Sequence, residues 1–107
     1  MSKLREIVLR IRTSSGIRDL SYFTTEKWAD LEQNFSRDFP DDGTAFIFKN
    51  NDGEDSAVFS EETLKRFVEQ IAERVEESER KTKVQVKLAS LRDAQSLAAR
   101  LRAGPAT

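Results

Sequence analysis

Residues 7–23 read IVLRIRTSSGIRDLSYF. Ile7, Leu9 and Ile11 alternate with Val8, Arg10 and Arg12, the period-two pattern of a strand with one buried face. Thr13-Ser14-Ser15-Gly16 supplies turn formers, and Ile17 to Phe23, with Leu20 and Tyr22 in phase, reads as a returning strand. The chain therefore opens on a hairpin, which argues against a ferredoxin-like βαββαβ order.

The pattern then changes period. Thr24 or Thr25 is placed to cap a helix on which Trp28, Leu31 and Phe35 form one stripe, and Pro40 ends it. Ala45-Phe46-Ile47-Phe48 reads as a short strand, Asn50-Asn51-Asp52-Gly53 as a turn of type I′ around Asp52-Gly53, and Ala57-Val58-Phe59 as the returning strand. Ser60 is a good cap, Glu61 and Glu62 suit the positive end of a helix, and Leu64, Phe67, Val68, Ile71 and Val75 give an apolar stripe. Val84, Val86 and Leu88 alternate with Lys83, Gln85 and Lys87 as a last strand. Ser90 then caps a short helix carrying Leu91, Ala94, Leu97, Ala98 and Leu101, closed by Gly104-Pro105.

The order ββαββαβ, two hairpins each followed by a helix, predicts an α+β fold: a mixed five-stranded sheet with two helices on one face, a ubiquitin-like β-grasp roll, plus a short C-terminal helix. Trp28, Leu31, Phe35, Leu64, Phe67, Val68 and Ile71 are the expected helix-to-sheet contacts. Residues 1–88 read as one interaction domain and residues 89–107 as a helical tail or linker.

Composition narrows the function. The 107 residues contain no cysteine and no histidine, which removes disulfides, thiolate metal sites, the cysteine nucleophile and the commonest general base. A non-enzymatic protein without cofactor or metal, in a reducing, cytoplasmic setting, is the expectation. No signal-peptide pattern and no run of ~20 apolar residues is present, so neither export nor a membrane partner is expected. Net charge is −1, but the charges are uneven: residues 1–37 hold seven basic and five acidic side chains, residues 38–64 one and eight, and residues 65–107 ten and six. With no concentrated basic block, nucleic acid is not an expected partner. The spacing of Trp28 and the phenylalanines suits core packing better than base stacking.

The acidic stretch Lys49-Asn50-Asn51-Asp52-Gly53-Glu54-Asp55 is the most conspicuous chemistry. An EF-hand loop with Gly53 at its sixth position would need a carboxylate at Phe48 and a bidentate glutamate at Phe59, and both fail. Paired-carboxylate hydrolysis lacks the enclosure that separates two pKa values. Taken alone, the stretch reads as a solvated turn.

In context it reads differently. Phe48-Lys49-Asn50-Asn51-Asp52-Gly53-Glu54, followed after a short strand by Ser60-Glu61-Glu62-Thr63-Leu64, resembles the acidic motif of the Phox and Bem (PB-one) domain family. The resemblance covers residues 6–88. It implies a partner-binding acidic face of Asp52, Glu54 and Asp55, with Glu61 and Glu62 as supplements. It also implies a basic face on the first strands, with Arg10 at the family's first-strand basic position, Arg12 assisting and Arg18 at the second basic position. The implied function is a signalling adaptor or scaffold that binds another domain of this kind, or itself head to tail as a homo-oligomer. Asn50 and Asn51 stand where the family usually has acids, and Arg10 where lysine is more usual. The alternative for Arg10 and Arg12 is a solvated strand face that discourages strand pairing.

Two other ubiquitin-like readings stand beside this one. A small-GTPase binder would use the basic strand face alone and add its second strand to the partner. A protein modifier would need an exposed diglycine end, whereas this sequence ends Arg102-Ala103-Gly104-Pro105-Ala106-Thr107.

Overall fold

The computed structural model describes residues 3–13 and 16–103. The Ser14-Ser15 turn and the Gly104-Pro105 helix stop lie outside the described residues. The elements follow as β1 (Glu6–Thr13), β2 (Gly16–Phe23), α1 (Trp28–Asp38), β3 (Ala45–Lys49), β4 (Asp55–Val58), α2 (Glu61–Arg74), β5 (Lys81–Ala89) and α3 (Leu91–Ala103). The sheet order is β2-β1-β5-β3-β4. β1 and β5 run parallel at its centre, and the other neighbours are antiparallel. This is the mixed sheet of a ubiquitin-like β-grasp.

Alternation along the strands sends Ile7, Leu9, Ile11, Phe46, Phe48, Val84, Val86 and Leu88 to the helix-covered face, where all are buried. Leu31 and Phe35 from α1 and Leu64, Phe67 and Ile71 from α2 complete the core, while Trp28 and Val68 pack against its rim, half-buried. Four rings form its spine: Phe35 to Phe46, Phe46 to Phe67 and Phe48 to Phe67 meet edge to face with centroids 5.9, 5.1 and 4.7 Å apart.

Two local expectations are corrected. Neither Thr24 nor Thr25 caps α1. Thr24 continues the β1–β2 ladder, its N–H donating to the Arg5 carbonyl at 2.9 Å and its hydroxyl to the Leu4 carbonyl at 3.3 Å. The helix starts after Lys27, whose N–H donates to the Asp30 carboxylate at 3.1 Å, and the Trp28 N–H donates to the Glu61 carboxylate at 3.2 Å. Two carboxylates at the positive end of α1 thus replace the hydroxyl cap.

The returning strand of the second hairpin is Asp55–Val58 and stops before Phe59. The Phe59 N–H is taken by the Thr63 hydroxyl at 2.9 Å, inside the capping box that starts α2: Thr63 N–H donates to Ser60 Oγ and Ser60 N–H to Thr63 Oγ1. That geometry also leaves Val75 just beyond α2, against the core rim.

The tail forms the expected helix and packs onto the sheet. β5 runs one residue past Leu88, and α3, capped by Ser90 Oγ accepting from the Asp93 N–H at 3.1 Å, packs against β4 and β3 with Ala94 fully buried. The segment preceding β3 is fitted to this corner. Gly43 has φ +100°, and a Cβ there would lie 2.2 Å from the Ala89 carbonyl oxygen. Among the described residues no helix is long and apolar enough to cross a membrane.

Candidate interaction surfaces

The registers of β1 with β2 and β5 arrange the uncovered face of the sheet in rows. One row runs Ile17, Arg12, Lys87, and continues to Ile47 through the β3–β5 pairing. The next is Asp19, Arg10, Gln85; then Ser21, Val8, Lys83; then Phe23, Glu6, Lys81. The two carboxylates in these rows are engaged. Glu6 lies 3.7 Å from Lys81 Nζ and accepts from Ser21 Oγ at 2.9 Å, and Asp19 reaches Lys83 Nζ at 3.5 Å. Arg10, Arg12 and Lys87 are exposed and pair with no carboxylate among the described residues.

Arg18 does not join them. It is in phase with Leu20 and Tyr22 on the helix-covered side, and its guanidinium carbon sits 5.2 Å from the centroid of the Phe39 ring. The sequence places Arg18 in the Leu20–Tyr22 phase, so its face was legible. Lys87, Lys83 and Lys81 were missed as members of the basic surface. Their signal was the same alternation in β5, once the β-grasp order sets β5 beside β1.

A hollow of about 620 Å³ opens where β3 leaves β5, lined by Arg12, Lys49, Arg74, Lys83 and Lys87 around the single carboxylate Asp55. Positive potential therefore extends from β1 across β5 to the base of the second hairpin.

That hairpin turns on Asn50 rather than on an Asp-Gly pair of type I′. Only Gly53 has positive φ (+81°), whereas a I′ turn needs it at both central positions. The loop is closed by Asn50 N–H to the Glu54 carbonyl at 2.8 Å and Gly53 N–H to the Asn50 carbonyl at 3.0 Å. Asn50 Oδ1 accepts from the N–H groups of Asp52 (2.9 Å) and Glu54 (3.0 Å). Asn51 anchors the loop to α2, donating through Nδ2 to Glu73 Oε2 at 3.1 Å and accepting from Arg74, which also donates to the Lys49 carbonyl. The two asparagines thus hold the loop while adding no charge.

Of the three expected acidic residues, Asp52 and Glu54 are exposed and their carboxylates have no partner among the described residues, whereas Asp55 pairs with Lys49 at 2.8 Å. Glu61 caps α1 and Glu62 pairs with Arg66 at 2.8 Å, so neither is a free supplement. The loop carrying Asp52 and Glu54 is tied through Asn51 to α2, the helix that covers the face opposite Arg10 and Arg12. No three histidine, cysteine or acidic side chains among the described residues are grouped to hold a metal ion.

No family model matches the chain, and no curated protein matches it.

Among the described residues, Tyr22 and Asp38 are two of the groups whose titration is displaced. Burial, with Glu61 and Glu26 nearby, pushes the Tyr22 phenol up to about 12. The hydrogen bond from Arg37 holds the Asp38 carboxyl below its usual range. Neither group belongs to the basic rows or the acidic loop.

Proposed function

We propose that this chain is a non-catalytic protein–protein interaction module of the Phox and Bem kind. On this reading its basic strand face meets the acidic loop of a like domain, or of a second copy head to tail. The observation that carries the reading is the set Arg10, Arg12 and Lys87: three exposed cations in adjacent registers on the open face, left unpaired while Glu6 and Asp19 bind other lysines. The acidic counterpart is Asp52 with Glu54, both exposed on a loop whose backbone Asn50 and Asn51 hold. Arg10 and Arg12 contribute planar donor forks suited to bidentate carboxylate pairing, and Lys87 a point charge.

Such faces steer encounter and set register, and their attraction weakens as salt shortens the Debye length from ~10 Å at 0.1 M to ~3 Å at 1 M. A contact between two different faces does not close on itself, so repeated addition gives chains of subunits. The cysteine-free composition supports a reducing, cytoplasmic setting for such a scaffold. The test is sedimentation of the wild type against charge-reversal variants of each face at low and high salt. Loss of the salt-dependent association by reversing either face supports the module, and its persistence in both rejects it.

A further inference from the structure

We infer that the free edge of β2 is a second, salt-insensitive contact through which two copies of this chain pair antiparallel, with Leu20 on the two-fold axis. The two edges of the sheet are treated differently. β4 is four residues long and has α3 packed against it, whereas β2 is eight residues long and lies at the end of the sheet order with no strand beyond it. Long uncovered edges are templates for another strand.

The direction of the backbone groups follows from one bond. Thr24 N–H donates to the Arg5 carbonyl, so with the observed register Arg18, Leu20 and Tyr22 turn their backbone groups to β1. Ile17, Asp19, Ser21 and Phe23 then turn theirs outward. Phe23 agrees: its N–H donates to the Glu26 carboxylate at 3.0 Å and its carbonyl accepts from the Glu26 N–H at 2.8 Å, both on the outer side. These bonds close the edge at its end and leave Ile17, Asp19 and Ser21 open.

Side chains select the occupant and the register. Three large hydrophobics are exposed on the described surface, and two of them, Ile17 at 53% and Phe23 at 47%, flank this edge on the open face. An antiparallel pair centred on Asp19 would set two carboxylates opposite each other, which is unfavourable. Shifting the centre to Leu20 sets Asp19 against Ser21 of the second copy, Ile17 against its Phe23, and Leu20 against its Leu20. That register covers both exposed apolar side chains, leaves Asp19 free to keep its lysine, and offers four backbone hydrogen bonds between the Asp19 and Ser21 pairs. A second copy is the occupant because the strand is complementary to itself, and the contact is isologous and closes as a dimer.

The experiment is sedimentation equilibrium with amide hydrogen exchange on the full chain at about 0.5 M salt, where charge contacts are screened to a few ångströms. The wild type is expected to dimerise, and the Asp19 and Ser21 amides to slow as concentration rises while the Leu20 and Tyr22 amides, bonded to β1, hold their rates. Phe23→Lys removes one apolar burial from each copy and should weaken dimerisation about a hundredfold or more, the scale of two such losses. Ser21→Pro removes an outward donor and the hydroxyl bond to Glu6 but no backbone bond to β1, and should do the same with Phe23 intact; Ser21→Ala, which loses only the hydroxyl bond, should leave dimerisation unchanged, and melting curves verify that each variant is folded. A wild type that stays monomeric at high salt, or dimers that survive both Phe23→Lys and Ser21→Pro, overturns the inference; the first result would leave the edge to a foreign strand.

Discussion

Arg12 and Lys87 are lateral neighbours in the parallel β1–β5 ladder, 75 positions apart in sequence and side by side on the open face of the sheet. Neither has a carboxylate partner among the described residues, so the positive surface at the centre of the sheet is assembled by topology. This relationship sets the first prediction. Lys87→Glu should weaken association with an acidic-faced partner about as strongly as Arg10→Glu. Arg18→Glu, on the other face, should have a much smaller effect. Binding isotherms of the three variants at low salt check the ranking, and an Arg18 effect equal to that of Lys87 would contradict the face assignment.

Phe67 tests the core. Its ring has no exposed surface and meets Phe46 and Phe48 edge to face. Phe67→Ala should cost ~3–5 kcal/mol in urea unfolding, the usual penalty for truncating a buried ring. A cost below about 1 kcal/mol would mean the ring is not core.

The acidic loop tests the role of the two asparagines. Asn50→Ala removes the acceptor of two backbone N–H groups and should cost ~1–2 kcal/mol at about 1 kcal/mol per bond, while Asn50→Asp keeps both acceptors and should cost less. Gly43→Ala should be far worse than Gly53→Ala. Both glycines have positive φ, but a Cβ at Gly53 meets open space and one at Gly43 meets the end of β5. Equal melting temperatures for the two alanine variants would contradict that packing.

Much of the fold is legible in the sequence itself. Alternation in β1 and β5, and the α2 stripe of Leu64, Phe67 and Ile71, mark nearly the whole core because they leave one main face to bury; Val8, buried on the opposite face of β1, breaks the alternation. What stayed hidden was non-local or hydrogen-bonded. The Glu61 carboxylate caps a helix that starts 33 positions earlier, and Thr63 ends a strand by taking the Phe59 N–H. Asn50 and Asn51 looked like losses of charge, and their bonds to the loop and to α2 depend on how the hairpin lies against the helix. The pairing of Lys49 with Asp55 likewise depends on a hairpin register that the sequence does not fix.

Tyr22 gives the alkaline limit. Its phenol is buried, donates to the Glu26 carbonyl at 3.0 Å, and is held protonated up to about 12 against an ordinary 10.0. A raised folded value means the native state holds the proton more tightly than the unfolded chain, so this stability is fully present below pH 10 and is lost between pH 10 and about 12. Denaturant titrations of wild type and Tyr22→Phe should converge over that window, because phenylalanine has no proton to lose. A constant difference between them would show that the phenol does not titrate with unfolding.

The central claim, one basic and one acidic face on one chain, is tested most directly by complementation. One variant carries Arg10→Glu with Lys87→Glu, the other Asp52→Lys with Glu54→Lys, and both carry Phe23→Lys to remove β2 pairing. Sedimentation velocity at about 0.05 M salt should find each variant monomeric alone and their mixture a one-to-one complex that dissociates at about 0.5 M. A mixture that remains monomeric, or either variant associating alone in a salt-dependent way, would contradict the two-faced account.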